Sequence, residues 1–195
     1  MPDAVPAPEN SFAPASPWWT GLLPWMVYAL ALKFWPAAAA TLALATTVGS
    51  AWRIRAGLNP LDFGIIAYFS LLSVLDWSGM GHTLSPRALF ALCPLLLGAA
   101  AAVSVALRRP FTLAYAYPHA PKHRRDRPAF FFANQLISLL WVAGFAGGAA
   151  TIFLLPGEWS MARGGMILST ALAASALASV LVGGWFHFHQ SGLTT

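Results

Sequence analysis

The sequence predicts an all-α membrane protein, a bundle of about six transmembrane helices with both termini in the cytoplasm. Hydrophobic residues make up 58% of its 195 residues and charged residues only 9%, against roughly a quarter in an ordinary soluble domain. A soluble fold of this size could not bury that much apolar surface. The third observation is a strongly basic loop, residues 108–128, which lies between two long apolar runs and sets the predicted orientation.

Apolar runs bounded by aromatic residues, prolines and turns predict the individual helices. We expect spans over residues 18–33, 36–52, 62–75, 87–107, 130–155 and 164–185. The first three have only about 16 residues each, which is near the lower limit for crossing a bilayer. A four-span protein whose first two helices form a re-entrant pair is therefore the alternative.

Two polar segments flank the predicted bundle of residues 18–186. Residues 1–17 contain five of the chain's prolines and neither Lys nor Arg, which predicts an extended tail rather than a signal peptide. Residues 187–195 form a second short tail.

The positive charges are divided unevenly between the two predicted sides of the bundle. Three lie on one side, namely Lys33, Arg87 and Arg163. Eight lie on the other, at positions 53, 55, 108, 109, 122, 124, 125 and 127. Because cytoplasmic loops carry the excess of Lys and Arg, the basic loop and both termini are expected in the cytoplasm of a bacterial inner membrane.

The basic loop is the candidate contact surface for lipid or a partner protein. Apolar side chains alternate with small ones from Phe111 to Tyr117, which predicts an extended amphipathic strip on the membrane surface. Each base near anionic headgroups contributes about 1 kcal/mol. The alternative is an ordinary positive-inside loop. The candidate contact residues are Arg108, Arg109, Phe111, Tyr115, Lys122, Arg124, Arg125 and Arg127.

No residue pattern predicts a catalytic, cofactor or metal site. A carrier or proton relay usually needs an ionisable group deep in the membrane, and the predicted spans lack one. The bases cluster in loops rather than on an aromatic-studded face, so nucleic acid is not an expected partner. His187 and His189 are two residues apart and would point to different helix faces. Met80 and His82 could together bind Cu(I), but one short motif of this kind arises often by chance.

Small residues recur at four-residue spacing on three predicted helices. Such stripes let helix backbones approach closely in a membrane. They predict either internal packing, which we favour, or a docking face for a partner subunit. The stripes are Thr41, Ala45 and Gly49; Gly144 and Gly148; and Ser175, Ser179 and Gly183.

The second half of the chain resembles an uncharacterised group of bacterial inner-membrane proteins. Their shared pattern matches Pro110, Phe111, Thr112, Leu113, Tyr115, Ala116, Pro128, Phe130, Asn134, Ile137, Trp141 and Phe145. The chain departs from that pattern at Tyr117, where the pattern has Arg, and at Ser138, where it has Thr. More weakly, residues 23–33 and the helix after them are similar to the intracellular septation protein A family. These resemblances imply a location and a helix bundle rather than a reaction.

A structural role can be predicted for three of the shared residues. Asn134 would hydrogen-bond the loop backbone between Phe111 and Tyr115, with Trp141 and Phe145 on the same helix face. For the whole protein we expect a non-catalytic accessory or scaffolding subunit of a larger inner-membrane complex, or an envelope-maintenance factor. Its expected partners are anionic lipid headgroups and other membrane subunits. The alternatives are a carrier or channel for a small or lipidic solute and, third, a haem- or metal-dependent membrane enzyme.

Overall fold

The computed structural model describes residues 23–54, 59–80, 84–125, 127–158 and 160–191, and in this part of the chain every regular element is helical. The predicted tail of residues 1–17, His82 and Arg55 lie outside these ranges. The helices are α1 (Leu23–Phe34), a 3-10 turn (Pro36–Ala38), α2 (Ala39–Ile54), α3 (Pro60–Trp77), α4 (Pro86–Ala106), α5 (Thr112–His119), α6 (Lys122–Arg125), α7 (Pro128–Leu154) and α8 (Met161–Ser191).

Four of these helices, α3, α4, α7 and α8, are long and apolar enough to cross a membrane. The prediction of an all-helical membrane protein is thereby confirmed for the described residues. The ends of α3, α4 and α7 lie within about two residues of the predicted ones, because prolines and caps mark them. Helix α8 runs to Ser191, six residues past its predicted end at Trp185.

Helix α4 lies at the centre of the bundle, with α3 on one side and α7 on the other. Helices α1 and α2 pack with each other, and α2 also packs on α3, whereas α8 packs mainly on α7. The first half is held by an aromatic cluster around the fully buried Phe69, whose ring lies 4.9 Å from that of Trp25 and 5.3 Å from that of Tyr28. Such aromatic pairs add about 0.5–1.5 kcal/mol each beyond burial.

The turn between α1 and α2 lies beside the C-terminal end of α3. The Trp77 indole donates a hydrogen bond to Thr41 Oγ1 at 3.0 Å, and Thr41 Oγ1 lies 3.4 Å from Ser73 Oγ. Thr41 is in the first turn of α2 and Trp77 is the last residue of α3. The α1–α2 turn therefore reaches the same depth as the far end of a helix that is long enough to span the membrane.

The small-residue stripes separate into inward and outward ones. Gly144 and Gly148 of α7 face α8, where a Cβ at Gly148 would lie 3.4 Å from Ala171 Cβ. These two glycines pack inside the bundle, in agreement with the favoured prediction. On α2 the expected packing is wrong for Ala45 and Gly49, which are exposed, because the buried face of α2 is formed by Ala39, Ala40, Ala43 and Thr47.

The predicted extended strip in the basic loop is wrong. Residues 112–119 and 122–125 form α5 and α6. Leu and Ala favour helix within this segment, and Phe111 and Tyr115, four residues apart, share one face with ring centroids 6.5 Å apart. A period of two over so few residues could not distinguish a strip from a short interfacial helix.

Candidate functional site

The basic loop begins with a tight turn at the end of α4. The Arg109 N–H donates to the Ser104 carbonyl at 2.8 Å and the Arg108 N–H to the Val105 carbonyl at 2.9 Å, which is the Schellman pattern of helix termination. Arg108 takes φ 55°, a left-handed conformation that glycine normally supplies at this position. For a residue with a Cβ this costs roughly 1–2 kcal/mol. The turn leaves both Arg108 and Arg109 exposed.

The side chain of Ser104 joins this turn to the start of α5. Its hydroxyl donates to the Ala101 carbonyl at 2.7 Å and accepts the Phe111 N–H at 3.2 Å. Ser104, Pro110 and Phe111 are all buried. The chain therefore leaves α4, turns sharply and re-enters the bundle within a few residues, where its backbone donor is satisfied by a side chain.

Thr112 fastens α5 to α7 from inside the bundle. Its hydroxyl donates to the Asn134 carbonyl at 2.8 Å and lies 2.9 Å from Ser138 Oγ. A threonine hydroxyl has one hydrogen, which the Asn134 carbonyl takes, so Ser138 must donate to Thr112. Ser138 is fully buried and Thr112 nearly so. We call these residues, with Ser104 and Phe111, the polar lock.

Asn134 does not make the contact predicted for its side chain. Its amide Nδ2 donates to the Phe130 carbonyl of its own helix at 2.8 Å, and only its backbone carbonyl bonds the basic loop. Trp141 and Phe145 follow along α7 with ring centroids 5.8 Å apart. The Trp141 indole donates to Ser179 Oγ on α8 at 3.1 Å, whereas Phe145 packs on Gly98 of α4. These two residues join α7 to neighbouring helices rather than to the basic loop.

One cation of the basic loop is structural and five are not engaged in the described part of the chain. Arg125 donates from Nε to the Ala120 carbonyl at 2.8 Å and lies 4.8 Å over the Tyr117 ring, which closes the α5–α6 turn. The side chains of the other five make no hydrogen bond or ion pair with any other described residue: Arg108, Arg109, Lys122, Arg124 and Arg127. No acidic side chain in the described part of the chain is paired with these five charges.

Tyr115 lies on the exposed side of α5. Burial raises the pKa of its phenol, and the negative charge of Asp62 raises it further. Asp62 itself accepts the Asn59 N–H at 2.8 Å and caps α3. The end of α4, the basic loop and the start of α7 meet at one end of the bundle, where the polar lock joins them.

At the opposite end of the α4–α7 pair, the side chain of Arg87 joins the two helices. Arg87, in the first turn of α4, donates from Nε to the Ile152 carbonyl at 2.5 Å and from Nη2 to the Leu155 carbonyl. These carbonyls belong to the C-terminal end of α7, where a positive charge is favoured. The two helices are thus fixed at both ends, by the polar lock at one and by Arg87 at the other.

Sequence reasoning missed three residues of the polar lock. Thr112 and Ser138 stood in the recognised pattern but had no assigned partner, and Ser104 was not singled out. The available signal was a lone hydroxyl in the alanine-rich run of α4, one turn before the basic pair. In an apolar helix such a hydroxyl usually bonds a backbone carbonyl, so its second role as acceptor from Phe111 could not be read from spacing.

The described residues of the site offer positive charge on a surface of defined shape. In the described part of the chain, no three His, Cys, Asp or Glu side chains come together as they would around a metal ion. No protein-family model, curated protein or solved structure matches the chain. Fold and site together define a helical membrane protein with a basic surface fastened to one end of its bundle.

Proposed function

We propose that this protein is a non-catalytic subunit of a bacterial inner-membrane assembly, and that the basic loop is its contact surface for anionic headgroups and for a partner subunit. The loop would lie on the cytoplasmic side, as the excess of positive charge favours. The resemblance of the sequence to inner-membrane proteins supports the same location. Either a complex accessory or an envelope-maintenance factor would use the surface in this way.

The observation that carries the proposal is the contrast between the two sides of the basic loop. On the inner side, buried hydrogen bonds fix the start of the loop: Phe111 is bonded through its N–H to Ser104 of α4, and Thr112 through its hydroxyl to Asn134 and Ser138 of α7. On the outer side, five cations have no partner within the described chain. A loop that served only for orientation in the membrane would not need a fixed backbone, whereas a contact surface gains affinity from being held in shape before binding.

Arg108 is a second support for the proposal. Its left-handed conformation would be adopted more cheaply by glycine, which lacks the Cβ that causes the strain. Strained backbone positions are retained chiefly where a side chain has a task. At the end of α4 the guanidinium also lies near the partial negative charge of the helix C-terminus, which helps to offset the cost.

The test is extraction in a mild detergent and quantitative mass spectrometry of what co-purifies, for the wild type and for a variant carrying Arg108→Gly and Arg109→Gln. Glycine adopts the left-handed conformation at position 108 without strain. The free energy of unfolding of the variant should therefore equal that of the wild type or exceed it by up to about 1 kcal/mol, and its melting temperature should be the same or slightly higher. We expect it to lose most of a partner that the wild type retains in fixed stoichiometry. Binding to vesicles containing phosphatidylglycerol by the solubilised protein should also fall.

Lys33→Gln is the matched control. Lys33 is an exposed cation at the other end of the bundle, 5.7 Å from the ring of Phe34. Its neutralisation should leave both partner and vesicle binding unchanged. The proposal is wrong if the wild type purifies without a stoichiometric partner, or if the Lys33 and Arg108 variants behave alike.

A further inference from the structure

An open apolar groove runs between α7 and α8 in the half of the bundle away from the basic loop. Its volume is about 600 Å³. Its walls are small residues, among them Gly147, Ala174 and Ala178, with Leu140 near one end and Met166 near the other. A Cβ added at Gly147 would meet no atom within 4 Å. The groove exists because this stretch of α7 carries glycine where a larger side chain would fill the space.

The length of the groove matches one leaflet of a bilayer. Along α7 it extends from Leu140, near the middle of the helix, to Thr151, close to its end. At 1.5 Å per residue these are about 16 Å apart, and half of a hydrocarbon core is about 15 Å. A transmembrane helix from a second copy would run the full thickness, so a groove of half that length favours an acyl chain.

The hydroxyls that line the groove are already satisfied by their own helices. Thr151 Oγ1 donates to the Gly147 carbonyl at 2.8 Å and Thr170 Oγ1 to the Met166 carbonyl at 2.8 Å. These bonds point the hydroxyl hydrogens at backbone rather than into the space. The groove therefore offers carbon surface, which suits a hydrocarbon chain and not a polar solute.

Arg163 lies one turn beyond the end of the groove that is nearer to the α7–α8 turn, on the same face of α8. It is four residues before Ile167, a lining residue, and residues at that spacing are neighbours on a helix. Its guanidinium donates from Nη1 to the Glu158 carbonyl at 3.0 Å and from Nη2 to the Pro156 carbonyl at 2.8 Å. Gly157, with φ 102°, leaves room for it: a Cβ there would come within 3.0 Å of Nη1.

The α7–α8 turn thus fixes a guanidinium at the mouth of an apolar groove. Arg163 has five N–H donors, and two hydrogen bonds to carbonyls leave three for an anion. A phosphate is the anion that lies at this depth in a membrane, directly above the acyl chains. We propose that the α7–α8 groove binds one phospholipid, with an acyl chain along Gly147 and its phosphate against Arg163. This site is separate from the basic loop and does not depend on the function proposed for it.

The test is native mass spectrometry of delipidated protein in detergent, titrated separately with phosphatidylglycerol, diacylglycerol and glycerol phosphate. We expect one phosphatidylglycerol to bind at the groove, in addition to any that the basic loop holds. Diacylglycerol, which lacks the phosphate, should bind about tenfold more weakly, equivalent to about 1.4 kcal/mol. Glycerol phosphate, which lacks the chains, should not bind, and this separates a lipid site from a site for free phosphate.

Three variants locate the site. Gly147→Leu fills the groove and should weaken phosphatidylglycerol binding about tenfold or more. Gly49→Leu is its matched control, because a Cβ at that exposed glycine of α2 also meets no atom within 4 Å, and it should bind like the wild type. Arg163→Gln should reduce the affinity for phosphatidylglycerol to the affinity for diacylglycerol, and should leave the affinity for diacylglycerol unchanged.

Any of three results would overturn the proposal. One is equal phosphatidylglycerol binding by the Gly147→Leu and Gly49→Leu variants. Another is a dimer of the wild type that Gly147→Leu converts to monomer, since the groove would then hold a second copy of the chain. Binding of glycerol phosphate as tight as that of the lipid would likewise assign the guanidinium to a soluble anion.

Discussion

Thr112 makes two of the hydrogen bonds that hold the basic loop on α7, and its replacement by valine removes both with little change of shape. Ser138 Oγ and the Asn134 carbonyl would then each lose a partner in a buried place. Leaving buried polar groups unsatisfied costs roughly 1–3 kcal/mol. We expect Thr112→Val to lower the thermal midpoint in detergent and to speed trypsin cleavage in the basic loop.

Thr46→Val is the control for this substitution. The Thr46 hydroxyl donates to the Leu42 carbonyl within α2 at 2.7 Å and bonds no other helix among the described residues. Its loss should leave the cleavage rate of the basic loop unchanged. Equal midpoints and equal cleavage rates for the two variants would show that the polar lock does not hold the loop.

At the residue scale, the sequence predicted which residues take part in the contact with the basic loop better than it predicted their hydrogen-bond partners. Asn134 was expected to bond the basic loop and does so, but through its backbone carbonyl. The side chain instead returns to the Phe130 carbonyl, one turn back along its own helix. Short-range bonds of this kind are available to any polar side chain in a helix, and spacing alone does not tell which of the competing partners is nearer.

Helices α7 and α8 approach closely at Gly144. A Cβ there would overlap Ser175 Oγ and lie 3.2 Å from Ser175 Cβ. We expect Gly144→Ala to push the helices apart and to destabilise the protein by about 1–3 kcal/mol, measured as the thermal midpoint in detergent. Part of the loss should return in a double variant with Ser175→Ala, because the overlapping hydroxyl is then gone.

Gly147→Ala, three residues further along α7, is the comparison. The open space around Gly147 accepts a methyl group, and alanine favours helix over glycine by about 1 kcal/mol. This variant should therefore be as stable as the wild type or more stable. If Gly144→Ala were equally harmless, α7 and α8 would not pack through this glycine.

The elements themselves were largely predictable, and the reasons differ from one to the next. Asn59 caps α3 and Pro60 is its first residue, and the Asn59 side chain accepts the Leu61 N–H at 3.1 Å. Ser85 and Pro86 do the same for α4. Helices α5 and α6 were missed because eight and four residues show too few turns for a helical period to emerge.

The number of spans is a question for the whole molecule. Six spans rather than four is still a prediction, and it is favoured by the position of the α1–α2 turn, because Thr41 in the first turn of α2 bonds Trp77 at the far end of α3. In a re-entrant pair this turn would instead lie inside the membrane. Helix α1 has only 12 described residues. A full crossing would therefore require either that the span begins before Leu23, as the sequence predicts, or that the bilayer is locally thinner.

Cysteine labelling separates the two topologies. Cys93 is the chain's single cysteine and is buried, so a Cys93→Ala background carries single cysteines at Phe34 or Leu107, both well exposed. With six spans, a membrane-impermeant maleimide should label Phe34→Cys and Leu107→Cys from opposite sides of the membrane. Absence of labelling at Phe34→Cys from either side, or labelling of both from one side, would favour the re-entrant pair.

The way α8 joins the bundle bears on how the protein is made. It packs mainly on α7, and only Ser175 among its described side chains is a buried polar one. As the ribosome delivers the chain from its beginning, every contact among α1 to α7 becomes available before α8 has been synthesised. Helix α8 can then join a body that is already assembled, so that translation and assembly proceed in the same order.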